Sequence, residues 1–152
     1  MAKAIYFDMD GTIANLYGIT DWLDKIRSYD PTPYAEAEAL LNLQALAHRL
    51  NTLQKKGSKL GIITWLSKDS TPEYDTAVTV AKLAWLKKHL GSVKWDDIAI
   101  VAYGKKKSKQ VKYKGGYLFD DTPKVRREWI KHNPEGWAFD VDNILGTLDL
   151  FE

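Results

Sequence analysis

The chain has no cysteine, which removes disulfides, thiolate metal sites and a cysteine nucleophile together. Any metal must be held by oxygen or histidine. No run of about 18 consecutive apolar residues is present. The amino terminus enters an apolar segment without the basic region and long apolar stretch of a secretory signal. These absences point to a protein of the reducing cytoplasm that does not enter a membrane. A strong excess of one charge sign is also lacking, because a formal balance of +2 is too small to argue by itself for nucleic-acid binding. Repeats, low-complexity segments and linkers are missing as well. A length of 152 residues, 45% of them hydrophobic, therefore predicts one compact domain over 1–152 with a substantial core.

What is present is an alternation of short apolar runs and helical patterns. Strands are expected at Lys3 to Phe7, Leu60 to Trp65, Ile98 to Tyr103, Tyr117 to Phe119 and Trp137 to Val141. Leu43, Leu46, Leu50 and Leu53 recur at helical spacing, with Gly57 as the stop. Pro72 opens a second helix, in which Val78, Leu83, Leu86 and Leu90 are the expected core positions. Pro123 opens a third, ending before Asn133 and Pro134, and a last helix is expected from about Asn143 to Leu150. Strands alternating with helices predict an α/β, Rossmann-like three-layer sandwich around a five-stranded, mainly parallel sheet. About 50 residues separate the first two strands, more than a simple connection needs. Ala14 to about Pro33 is read as a small helical insertion over the site, in a single domain.

The first strand ends in Asp8-Met9-Asp10-Gly11-Thr12. Alternate strand residues share a face, so the two carboxylates point the same way just past the strand, where open parallel sheets bind ligands. Gly11 turns the chain and can bring backbone amides toward whatever the carboxylates hold. Thr64 ends the second strand, a lysine cluster (Lys105, Lys106, Lys107, Lys109, Lys112, Lys114) follows the third, and Asp120 and Asp121 end the fourth.

In that order, Asp-x-Asp-Gly-Thr, Thr, Lys and Asp-Asp, the chain resembles the haloacid dehalogenase superfamily from roughly Ala4 to Asp140. A receiver domain uses similar groups, but there the acidic pair comes early and the phosphorylated aspartate stands alone later, the reverse of this order. The resemblance implies a phosphomonoester hydrolase working through an aspartyl phosphate. Asp8 would be the nucleophile and Asp10 the acid and base. Thr64 and a lysine, Lys109 in preference to Lys107, would steady the phosphoryl group. Gly11, Thr12 and Trp65 would contact substrate. An anionic cluster meeting a phosphate needs a hard cation, and oxygen ligands point to Mg²⁺. The resemblance assigns it to Asp8, the backbone carbonyl of Asp10, and one or both of Asp120 and Asp121.

Other polar residues carry ordinary expectations. Asp140 and Asp142 form another Asp-x-Asp, but the flanking Val141 and Asn143 suggest a strand end and a helix cap, and His48, His89 and His132 suit late helix positions, so none is assigned catalysis. The remaining lysines are read as a solvated loop, with a polyanion-binding surface as the alternative. Asn15, Tyr17, Trp22, Trp65, Lys68 and Asp69 are the candidates for the mouth of the site. The run Ile62-Ile63-Thr64-Trp65-Leu66, the lysine-rich loop and Leu118-Phe119-Asp120-Asp121 resemble small nucleotidase-like members, including those of bacteriophages, which would work in the host cytoplasm. A nucleotide is thus the leading expectation for a small phosphorylated substrate. A polynucleotide end-processing phosphatase is the alternative enzyme, and a catalytically silent phosphate- or partner-binding protein the alternative class.

Overall fold

The five apolar runs pair into one sheet in this computed structural model, which describes residues 2–151. The strands are β1 (Ile5–Phe7), β2 (Leu60–Trp65), β3 (Asp97–Val101), β4 (Tyr117–Phe119) and β5 (Trp137–Phe139). Their order is β3-β2-β1-β4-β5 and every pairing is parallel. Three strands are shorter than expected. The β5 ladder stops because the Asp140 carboxylate accepts the Val141 N–H at 2.7 Å, and β3 gives way to a turn in which Lys105 N–H donates to Ala102.

Period-two alternation sorts each strand between two apolar layers. Ile5, Phe7, Leu60, Ile62 and Phe119 face one layer, whereas Tyr6, Ile63, Leu118 and Ala138 face the other. On the first side lie α3 (Leu43–Lys55) and α7 (Ile144–Leu148), with Trp85 and Leu86 of α4 (Pro72–His89). On the second lies α6 (Pro123–His132), whose Trp129 is fully buried against Tyr6 at 5.8 Å between ring centroids. Removing a ring of that kind costs about 3–5 kcal/mol.

Helix boundaries follow local chemistry. Asn42 accepts from Ala45 N–H to start α3, and Gly57 ends it with φ +108°, a conformation that glycine adopts without strain. Thr71 accepts from Tyr74 N–H at the start of α4, with Pro72 as the first helical residue. Of the four core positions expected in α4, Val78, Leu86 and Leu90 are buried but Leu83 is 42% exposed. The buried stripe runs through Tyr74, Val78, Ala81, Lys82 and Trp85, and Leu83 lies about 100° around the helix from Lys82. The helix is 18 residues long, yet no helix among the described residues is long and apolar enough to cross a membrane.

After β1 the chain leaves the sheet at Ala14 and returns at Ala39, where the two residues form an antiparallel bridge. Between them lie a 3-10 turn, α1 (Trp22–Arg27) and α2 (Thr32–Glu36), so the second helix crosses the boundary expected at Pro33. Leu16, Ile26 and Tyr34 of this excursion pack on Tyr74, Val78 and Ala81 of α4. The excursion is thereby tied down over the carboxyl end of the sheet.

Candidate active site

The chain builds outward from β1 to β2 and β3 and then crosses to β4 and β5 on the other side of β1, so the strand order reverses between β1 and β4 and opens a crevice beyond the carboxyl ends of the strands. Asp8 follows β1 directly and extends its ladder, its N–H donating to Phe119 O at 3.0 Å. Asp120 does the same for β4, donating to Phe139 O at 3.1 Å. Rigid sheet backbone thus fixes both carboxylates.

Lys107 joins them. Its Nζ donates to Asp8 Oδ1 at 3.0 Å and Asp120 Oδ2 at 2.7 Å, and the side chain is 3% exposed. Burial works against its charge, but Asp8 and Asp120 outweigh burial and hold its pKa above the ordinary lysine value. Lys107 opens α5 (Lys107–Gln110), whereas Lys109, the preferred lysine of the sequence analysis, is exposed. Two residues along a helix are about 200° apart, so one short turn can send only one of the pair into the crevice.

The second oxygen of Asp8 accepts from Thr12 Oγ1 at 3.1 Å. Thr12 is buried behind the carboxylate, and its N–H donates to Met9 O, while Gly11 N–H donates to Ala14 O. These amides serve the turn itself, contrary to the expectation that Gly11 and Thr12 meet substrate. They border a separate hollow of about 320 Å³ with Leu40, Leu41 and Asn143. Gly11 has φ +79°, and a Cβ there would lie 2.2 Å from Asp121 Oδ2. Glycine at this turn lets the Asp121 side chain lie close against the backbone.

Asp8, Asp120 and Asp121 each offer an oxygen within 4.8 Å of the others. Burial first, and then the charge of Asp8, push Asp120 up to about 6 and Asp121 up to about 7. Such crowding of hard oxygen donors suits a divalent cation such as Mg²⁺. The carboxylate of Asp10 is not in this set. Its Oδ2 accepts from Lys82 Nζ at 2.9 Å, and its pKa is raised because burial outweighs the attraction of Lys82, with Asp8 adding to the rise.

Lys82 was not anticipated from the sequence. It is 1% exposed and also donates to Thr64 Oγ1 at 2.7 Å and Trp65 O at 2.8 Å. The legible signal was its place four residues after Val78, inside the apolar stripe of α4, where an unpaired lysine is rarely tolerated.

A cavity of about 510 Å³ opens above these groups, with Asp8, Asp10, Asp120, Asp121 and Lys107 at its floor. Of the expected mouth residues, Tyr17, Trp22, Trp65, Lys68 and Asp69 line it, and Asn15 does not. Trp65 donates its Nε1–H to Lys105 O at 2.8 Å and meets Tyr103 at 5.0 Å between centroids. Tyr17 meets Trp22 edge-on at 4.8 Å. No histidine lines the cavity: His89 and His132 end α4 and α6, and His48 lies in the middle of α3. Asp140 sits at its strand end beside Arg126 at 3.4 Å, and Asn143 accepts the capping bond of α7, as expected.

No family model matches this chain, and no curated protein matches it. Among solved structures it is similar to D,D-heptose 1,7-bisphosphate phosphatase from Burkholderia thailandensis, with a TM-score of 0.58 and 14% identity. The match covers 98% of this chain and 97% of that one. Likeness at that identity is a likeness of fold, and the fold is that of the haloacid dehalogenase-like α/β proteins.

Proposed function

We propose that this protein is a metal-dependent phosphomonoester hydrolase that works through an aspartyl phosphate. The observation that carries the reading is the convergence on Asp8, which shares Lys107 with Asp120 and lies within ligand reach of Asp121 beneath an open cavity. The similar protein is a D,D-heptose 1,7-bisphosphate phosphatase, which agrees with this reading.

The chemistry divides among the chain's own groups. The Asp8 carboxylate attacks phosphorus in line, forming an O–P bond as the bond to the leaving oxygen breaks. Protonated Asp10 gives its proton to that oxygen. Its raised pKa favours the protonated start, and the resulting carboxylate then takes a proton from the water that attacks the aspartyl phosphate. Lys107 keeps Asp8 oriented and offsets charge on the phosphoryl group, and Thr64 steadies a phosphoryl oxygen. Asp8, Asp120 and Asp121, with the backbone carbonyl of Asp10, would hold Mg²⁺. The bound cation would offset the excess of Asp8, Asp120 and Asp121 over Lys107 and polarise the phosphoryl group.

The aromatic walls favour a nucleotide as substrate, because a base can stack on Trp65, Tyr17 or Tyr103, which line the cavity. The second enzyme reading, an end-processing phosphatase on oligonucleotides, draws on the exposed Lys105, Lys106 and Lys109 beside the Trp65 wall. Phosphate release from nucleoside monophosphates, sugar phosphates and 5′-phosphorylated oligonucleotides, with and without Mg²⁺, tests the function and ranks the substrates. The Asp8→Asn protein should release none. Release by that variant would overturn the mechanism, and binding without release by the wild type would favour the silent binding protein.

A further inference from the structure

Lys82 has no part in the scheme above and is among the most deeply buried charged side chains of the molecule, and neither it nor its fully buried partner Thr64 lines the cavity. An ammonium has three N–H donors and no acceptor, and here the three are spent on Asp10 Oδ2, Thr64 Oγ1 and Trp65 O. Lys82 Nζ also lies over the ring of Tyr34 of α2, 5.1 Å from the centroid. A solvated lysine would fan through many rotamers, whereas this one has a single arrangement set by three acceptors on two strand ends.

Each bond constrains a group in the proposed reaction. With Oδ2 of Asp10 held by Lys82, the proton that Asp10 delivers must sit on Oδ1. With the Thr64 oxygen accepting from an ammonium, the Thr64 hydroxyl hydrogen must turn away from Lys82, and no acceptor for it is present among the described residues. We propose that Lys82 is a positioning residue that presents the Asp10 Oδ1 proton to the leaving oxygen and the Thr64 hydroxyl hydrogen to the phosphoryl group. This role rests on the phosphatase reading given above. In the first half-reaction the Asp8–phosphorus bond forms, the bond from phosphorus to the leaving oxygen breaks, and the proton passes from Asp10 Oδ1 to that oxygen. In the second, the water oxygen bonds phosphorus, the Asp8–phosphorus bond breaks, and the water proton returns to Oδ1. Lys82 stays on Oδ2 throughout.

The consequence is a dependence on leaving group. A nucleoside 5′-monophosphate departs as an alkoxide that needs a proton in flight, whereas p-nitrophenyl phosphate departs as a stable phenolate that does not. Lys82→Met keeps the length of the side chain and removes the donors. It should lower kcat/KM for the nucleoside monophosphate by about 100-fold, within the usual range for general acid catalysis. The loss for p-nitrophenyl phosphate should be at least about tenfold smaller, since that ester needs no acid. In the Asp10→Asn background, where the acid is already missing, Lys82→Met should remove no further discrimination between the two esters.

Buried Lys82→Met leaves Asp10 without a cation and can fail to fold. Lys82→Gln, which retains an amide donor but cannot serve three acceptors, then reads the same ratio and should lower it in the same direction. Equal losses for both esters in a folded Lys82 variant would overturn the positioning role and leave the phosphatase reading standing. A wild-type protein that hydrolyses neither ester with Mg²⁺ present would overturn both.

Discussion

The floor of the cleft is held by charges with fixed partners, whereas its rim is held by rings that touch one another. Asp8 has one oxygen on Lys107 and the other on Thr12, and Asp10 is fastened to Lys82. At the rim, Tyr17 is 50% exposed and Tyr103 is 53% exposed, and their partners are single aromatic neighbours. Charged groups in a desolvated floor tolerate little displacement, because each one lost leaves another unpaired. Rings at a half-open rim are exchangeable with modest loss. The contrast assigns reaction type to the floor and substrate choice to the rim.

Substitutions at the floor should therefore act on turnover and at the rim on substrate affinity. The largest effect is expected for Asp8→Asn, with steady-state turnover reduced on the order of 10⁴-fold or more, read as Mg²⁺-dependent phosphate release. Lys107→Met should reduce kcat by about 10²- to 10³-fold, the usual loss for a missing charge stabiliser, while Lys109→Ala stays within about twofold of wild type, as expected for an exposed side chain. Equal rates for the Lys107 variant and wild type would erase the distinction between the two lysines. At the rim, Trp65→Leu should raise KM for nucleoside monophosphates by about tenfold, the magnitude of one stacked base, with little change for sugar phosphates. A matching rise for both substrates would argue that the rim does not select a base.

The smallest effect is one of linkage. Asp120 and Asp121 stand at about 6 and about 7 in the folded chain, against about 3.9 when unfolded. Between those values the folded state keeps protons that the unfolded state has released, so metal-free protein loses stability as pH rises from about 4 to about 7. Mg²⁺ relieves the same repulsion only once the carboxylates are ionised. Its addition should raise the melting temperature more at about pH 8 than at about pH 5; an equal rise at both would place the cation elsewhere.

Much of the floor was legible because it lies at strand ends that punctuation marks clearly. Proline at 72 and 123 and glycine at 11 and 57 bracket the elements, and β2 and β4 run as their apolar residues predict. What failed was decided by packing. Lys82 reads as one more surface cation until α4 is docked, when the stripe through Val78 and Trp85 carries it inward. Lys107 and Lys109 are equivalent by spacing, and the facing of one helical turn separates them. Thr12 reads as a ligand-binding turn residue, yet the turn folds its hydroxyl under Asp8. The path of the excursion between Ala14 and Ala39 was illegible, because Leu16, Ile26 and Tyr34 find their partners on a helix more than one element away.

The most direct test of the account is acid-quenched peptide mass analysis of the Asp10→Asn protein after mixing with Mg²⁺ and p-nitrophenyl phosphate. Release of p-nitrophenol with a single hydroxylamine-labile phosphoryl group on Asp8 is the predicted result. Continued turnover with no phosphoryl group on Asp8, or with one on another residue, would contradict it.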